Sequence, residues 1–309
     1  MSQFYSAGSL IANVFSYIIT KNYTEAPMIP KENFALNRIL APHLSLKEFI
    51  DTALSVGVST IELRNDLPGK EIIDNYTPQE VRKLCRDAEV SILTINAVQK
   101  FNLEAERKAV LEELKKLLDL AQEIGCSALV LCPNNDPADT RTPSRIRQET
   151  VEALQELGHL FQSAGITGLV EPLGFQISSL SSAREALEMI HSARFPCYKL
   201  LLDTFHHYLG PDTVEDLGAR IPVSEIGLIH VSGVEDSLPK EAFRDEHRVF
   251  PTPADRMNSK GQVLRLVEKG YKGCVSFEPF SSRVQNLPLE TLKQAIKESI
   301  EYLRQSPCM

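Results

Sequence analysis

Four short apolar runs in this chain end on, or one residue after, a group able to bind a cation or carry a proton. "TGLVE" ends at Glu171, "KLLLD" at Asp203 and "CVSFE" at Glu278, while "GLIHV" carries His230. Three carboxylates and an imidazole brought to one place repel or are driven to protonate. A divalent cation resolves that conflict. The donors are hard oxygen plus one nitrogen, with no thiolate. That set suits one Mn2+ or Zn2+ ion, is compatible with Mg2+ or Co2+, and does not resemble a cysteine-rich structural zinc site. Other apolar runs also close on polar groups, at Asn37 and Arg38, Glu62 and Arg64, Asn96 and Cys132. A solvated loop does not require Glu, Asp, His and Glu at the ends of four consecutive runs.

The elements that must position these residues repeat along the chain. In "SVGVSTIEL", "EIGCSALVL", "SAGITGLVE" and "EKGYKGCVSFE" an amphipathic segment ends in glycine and a short apolar run follows. Glycine is preferred just past a helix end, where φ turns positive. The β-branched runs read as strands buried on both faces, as parallel strands are. Helix starts are marked by capping boxes at "SLKE" (45–48), "TPQE" (77–80) and "SARE" (182–185). Helical patterns cover 103–124, 143–164, 182–193, 259–269 and 288–304. Strands are expected at 34–38, 60–64, 92–96, 128–132, 167–171, 199–203, 227–231 and 274–278.

Eight strands with helices between them predict a single closed (β/α)8 TIM barrel of roughly 250 residues or more. A doubly wound open sheet is disfavoured, because no Gly-rich phosphate fingerprint follows the first strand. In a barrel all eight strand ends meet at one mouth, where such folds build their sites.

The formal net charge of −8 and the lack of a long basic run argue against gripping nucleic acid. Six scattered cysteines with no Cys-x-x-Cys pair read as free thiols in a reducing, cytoplasmic setting. "LIANVFSYII" (10–19) is shorter than the about 20 residues that span a bilayer and lacks the basic flank of a signal peptide. No membrane partner is expected, and a homo-oligomer is left open. Residues 1–32 read as an extension and linker, with the barrel over 33–309.

"LVEPLGF", "LLDTFHH", "LIHVSG" and "SFEPF" resemble the sugar phosphate isomerase/epimerase superfamily of xylose-isomerase-like TIM barrels. "ELRND", "TINAV", "VEPLGF" and "DEHRVFP" look most like its inosose (2-keto-myo-inositol) isomerases. The resemblance implies that Glu171, Asp203, His230 and Glu278 bind one divalent metal. It also implies that Glu171 and Glu278 move the proton, and that His206, three residues after Asp203, contacts substrate. Related epimerases carry an arginine soon after the metal histidine. Here that region departs from the pattern and reads "VSGVEDS", and Arg248 stands only later in the chain.

The implied reaction moves a carbonyl one position along a keto-polyol. A proton leaves the carbon beside the ketone and one returns to the neighbouring carbon, while Lewis-acid stabilisation of the enediolate comes from the metal. Asn37, Arg64, Asn96, His206 and Arg248 are the expected hydroxyl-binding residues. The same barrel accommodates an inosose dehydratase, a keto-sugar epimerase or a hydroxypyruvate isomerase. More distant readings are a non-enzymatic sugar-binding protein and an endonuclease IV-like nuclease.

Overall fold

A computed structural model of the chain describes residues 28–305. Most of the expected N-terminal extension, residues 1–27, lies outside the described residues. Eight parallel strands close into a barrel in sequence order. They are β1 (Phe34–Asn37), β2 (Thr60–Arg64), β3 (Ser91–Val98), β4 (Ala128–Leu131), β5 (Thr167–Val170), β6 (Tyr198–Asp203), β7 (Ile226–Val231) and β8 (Cys274–Phe277). β1 pairs with β8 through Phe34 and Val275, Ala35 and Ser276, and Leu36 and Phe277, which excludes the open sheet.

The outer ring is α1 (Leu46–Ser55), α2 (Pro78–Asp87), α3 (Arg107–Ile124), α4 (Pro143–Ala164), α5 (Ala183–Ala193), α6 (Thr204–Leu209), α7 (Ser259–Glu268), α8 (Ser282–Gln285) and α9 (Leu289–Arg304). Among the described residues, no helix is long and apolar enough to cross a membrane.

The caps explain where these helices begin and stop. Ser45 with Glu48 and Thr77 with Glu80 form complete capping boxes. The third expected box is only half formed. Ser182 accepts from Glu185 N, but its hydroxyl donates to Asp212. The Asp212 carboxylate also accepts from Ala183 N at 2.6 Å, so an acid from a distant loop caps α5. Gly57, Gly125, Gly165 and Gly270 all have positive φ at helix ends, as the repeats predict.

Two-residue periodicity fixes which side chains reach the mouth. Leu169, Leu201 and Leu228 belong to a small cluster inside the barrel, whereas Val170, Leu200, Leu202, Ile229 and Val231 pack outward against the helix layer. Two positions beyond each inward leucine stand Glu171, Asp203 and His230. On β8 the same parity leads from Cys274 through Ser276 to Glu278. Ladder register then sets their heights: Asp203 pairs with His230, and Glu278 N donates to Val231 O at 3.0 Å.

Arg38 was among the polar strand ends, yet it serves the scaffold. It is fully buried and donates to the carbonyls of Ile72 and Leu44 and to the Asp74 carboxylate at 2.6 Å. It thereby ties the end of β1 to the loop after β2. Asp74→Ala would leave a buried guanidinium without its counter-charge. It is expected to lower unfolding free energy by about 3 kcal/mol in urea titration while leaving the barrel mouth chemically intact.

Candidate active site and metal centre

The four inward residues meet. One ligand atom from each of Glu171, Asp203, His230 and Glu278 can be chosen so that all lie within 4.8 Å of one another, and all four residues are buried. Glu171 and Glu278 line a cavity of about 400 Å3 together with Arg64, Asn96, His206 and Arg248.

His230 is oriented from behind. Its Nε2 lies 3.0 Å from Glu62 Oε2, and both side chains are fully buried. A neutral ring held this way carries its proton on Nε2 and turns the Nδ1 lone pair toward the mouth. Nδ1 there has no hydrogen-bond partner, although Glu278 Oε2 is 3.0 Å away and Glu171 Oε1 3.6 Å. The approaches are close, but none is aligned as a hydrogen bond.

Glu278 is anchored on both oxygens. Oε1 accepts from Arg64 Nη1 at 2.8 Å and Asn37 Nδ2 at 3.2 Å, and Oε2 from Arg248 Nη2 at 2.9 Å. Burial would raise its pKa, but the charges of His230 and Arg248 hold it well below the usual carboxylate range. Glu171 is less engaged. Its Oε2 meets only the Cys132 thiol, at 3.5 Å, and no guanidinium contacts it.

Asp203 does two jobs. Oδ1 caps α6, accepting from Phe205 N at 2.7 Å, while Oδ2 accepts from Arg248. Burial pushes its pKa up to about 6 against the pull of Arg248. Burial opposes protonation of His230, yet Glu278 and Glu62 hold its pKa well above normal. A proton on His230 thus acts as counter-charge to the carboxylates, and a cation taken up there would displace it. The orphaned Nδ1, the three converging carboxylates and the ring fixed by Glu62 fit a divalent ion.

The expected substrate contacts divide into two kinds. His206 faces the cavity from α6 with its Nδ1 unpartnered, its pKa lowered by burial and by Arg248, and Phe175 edge-on at 5.1 Å. His207 instead turns away, 2.9 Å from Gln262 Oε1. Asn37 lies below the mouth and positions Glu278 and Ile39 N. Asn96 lines the cavity while donating to Glu62 at 3.1 Å. Arg64 is held by Asp66 through two 2.7 Å bonds and stacks on Phe280.

Arg248 reaches the mouth by a backbone detour. The chain leaves β7, and Gly233 and Val249 then exchange hydrogen bonds of 2.7 and 2.9 Å. This bridge brings Arg248 beside Ser232, with Nε to Ser232 Oγ at 3.0 Å and its guanidinium over the rings of Phe205 and Phe280. Arg248, distant from His230 in sequence, thereby stands beside Asp203 and Glu278 at the mouth.

Sequence reasoning did not single out Glu62 as a site residue. It accepts from Thr94 Oγ1 at 2.6 Å, from Asn96 and from Ser276, and it is wholly enclosed. The available signal was parity: Glu62 shares the inward face of β2 with Arg64.

Comparison with known proteins establishes the family. The model for the xylose isomerase-like TIM barrel matches residues 50–306. The chain belongs to that family. A curated inosose isomerase from Halalkalibacterium halodurans is 26% identical over 245 residues, 79% of this chain and 86% of the relative. A solved xylose isomerase domain-containing protein from Salmonella typhimurium LT2 is 41% identical, with a TM-score of 0.83, covering 90% of this chain and 99% of that one. A structure of the IolI protein with a bound zinc atom superposes with a TM-score of 0.81 at 21% identity, over 90% of this chain and all 100% of the other. At that identity the likeness is one of fold. Within this family's barrel, Glu62 orients the His230 ring whose Nδ1 approaches Glu171 and Glu278. Glu62→Gln is expected to weaken uptake of Mn2+ or Zn2+ by about 10–100-fold, measured by titration against a competing chelator.

Proposed function

We propose that this protein, an isomerase-type enzyme, moves the carbonyl of a keto-inositol such as 2-keto-myo-inositol, or a related keto-sugar, through an enediolate. The observation that carries this reading is the unpartnered His230 Nδ1, turned by Glu62 into a group of three buried carboxylates. The kinship with an inosose isomerase supports the substrate class. Glu171, Asp203, His230 and Glu278 are the proposed ligands of one divalent ion, with Mn2+ or Zn2+ the leading candidates. When bound, that ion supplies Lewis-acid stabilisation to a carbonyl and its neighbouring hydroxyl.

The protein side chains do the rest. Glu171 and Glu278 are the proposed carboxylate pair, but their surroundings make them unequal. Two guanidiniums and an amide occupy the lone pairs of Glu278, which leaves it a weak base. Glu171, which no guanidinium contacts among the described residues, is the better acceptor for the proton beside the ketone and the natural donor to the adjacent carbon. His206 and Arg248 present donors to the oxygens where negative charge develops, and Arg64 and Asn96 stand where ring hydroxyls would lie. Phe280, stacked against both arginines, helps to keep their planes fixed.

The test is deuterium incorporation from solvent into inosose, read beside product analysis for a shifted ketone or for loss of water. Glu171→Gln is expected to stop exchange while retaining metal. Glu278→Gln should slow it less. Equal loss in both variants would mean that the proton passes through both carboxylates, and a dehydrated product would assign a dehydratase.

His206→Ala should cost about 2–4 kcal/mol of transition-state stabilisation, seen in kcat/KM, with metal content unchanged. An unaltered kcat/KM would remove His206 from the substrate contacts.

A further inference from the structure

A second chamber adjoins the first. Its volume is about 430 Å3, against about 400 Å3 for the inner cavity. Each alone is in the range that takes a complete small molecule, about 300–1,000 Å3. Asn135, Phe175 and Asp245 line both, so the chambers share a partition. Phe175 belongs to that partition and packs edge-on against His206.

The outer chamber is a built feature. A Cβ on Gly174 would lie 2.0 Å from the His206 carbonyl oxygen and 2.8 Å from Gly210 N, so the loop after β5 is pressed onto the backbone of α6. Asn135 forms an antiparallel bridge with Ser178, and Ser179 N donates to Asn134 O at 2.8 Å. On the opposite side Phe243 is buried among Phe205, Val234 and Met257.

The lining has two characters. Phe175, Ile177, Leu209 and Phe243 are apolar, while Gln176 and four charged residues supply polar groups. The charges balance: Lys240 and Arg244 are matched by Glu241 and Asp245. Lys240 sits 5.3 Å from the Tyr208 ring and donates to Gly210 O at 3.4 Å. Arg244 Nη1 donates to the carbonyls of Glu241 and Phe243, both at 2.7 Å. No excess positive charge is left to select an anion. An aromatic and aliphatic wall edged by hydrogen-bonding groups matches a sugar ring, which has an apolar C–H face and hydroxyls around its rim.

We propose that the outer chamber is a second carbohydrate subsite, so that the preferred substrate is a keto-polyol carrying a neutral glycosyl ring. The keto ring occupies the inner cavity and the glycosyl ring the outer one. This rests on the inner-cavity reading above and narrows its substrate class.

Calorimetric titration with two unreactive probes, myo-inositol and galactosyl-myo-inositol, tests it. The galactosyl probe is expected to bind at least about tenfold tighter to the unmodified protein, a gain of about 1.4 kcal/mol. Ile177 is 43% exposed and lines only the outer chamber. Ile177→Trp should fill that space and erase the gain while leaving myo-inositol binding unchanged. Equal affinity for both probes, or equal loss of both in Ile177→Trp, overturns the proposal. Tighter binding of myo-inositol monophosphate than of the galactosyl probe overturns the neutral assignment. Deuterium exchange into inosose by the same preparation reports on the inner cavity separately. Exchange with equal probe affinities removes only the second subsite, whereas absence of both exchange and myo-inositol binding removes the inner-cavity reading.

Discussion

An excess of buried negative charge at the barrel mouth is the constraint around which this structure is arranged. Glu62, Glu171, Asp203 and Glu278 are all buried there, against the guanidiniums of Arg64 and Arg248. Charges removed from water are costly unless paired, and the remaining imbalance amounts to two negative charges when His230 is neutral. One divalent cation would cancel that imbalance. The protein spends much of its scaffold on holding the imbalance in place: Arg248 is returned by the Gly233–Val249 bridge, Arg64 is clamped by Asp66, and both lie on Phe280.

The same economy explains why fold and site are hard to separate. Asp203 caps α6 with one oxygen and faces the cluster with the other, so the helix that presents His206 starts at a cluster residue. Glu62 binds His230 while taking hydrogen bonds from β3 and β8, which links the ring's direction to closure of the barrel. The division between an anchored Glu278 and a freer Glu171 follows from which loops deliver arginines. Two carboxylates equivalent in type thereby become chemically distinct through their neighbours.

Most of the barrel was legible because each signal is local. Strand cores, positive-φ glycines and two capping boxes depend on residues within a few positions of each other, and the inward positions follow from period-two alternation. Glu171, Asp203, His230 and Glu278 came from reading where the apolar runs end. What escaped depends on chain paths between elements. Asp212 capping α5 comes from 30 residues downstream of Ser182. Arg248 has no local signal that it folds back beside Ser232. Arg38 and Arg64 both stand near strand ends, but Arg38 follows the inward-facing Asn37 and ties loops together through Asp74, whereas Arg64 shares the inward parity of Glu62 and binds Glu278. Asn37 reads equally well as a substrate contact from sequence, whereas its amide is taken up by Glu62 and Glu278.

A divalent cation is what the buried charge of this cluster calls for. Native mass spectrometry of the protein, stripped by chelation and then titrated with Mn2+ or Zn2+, tests this most directly when run beside folded Asp203→Ala and His230→Ala variants. One ion per unmodified chain and loss of tight uptake in both variants are expected. No uptake by the unmodified chain, or full occupancy in His230→Ala, would contradict this.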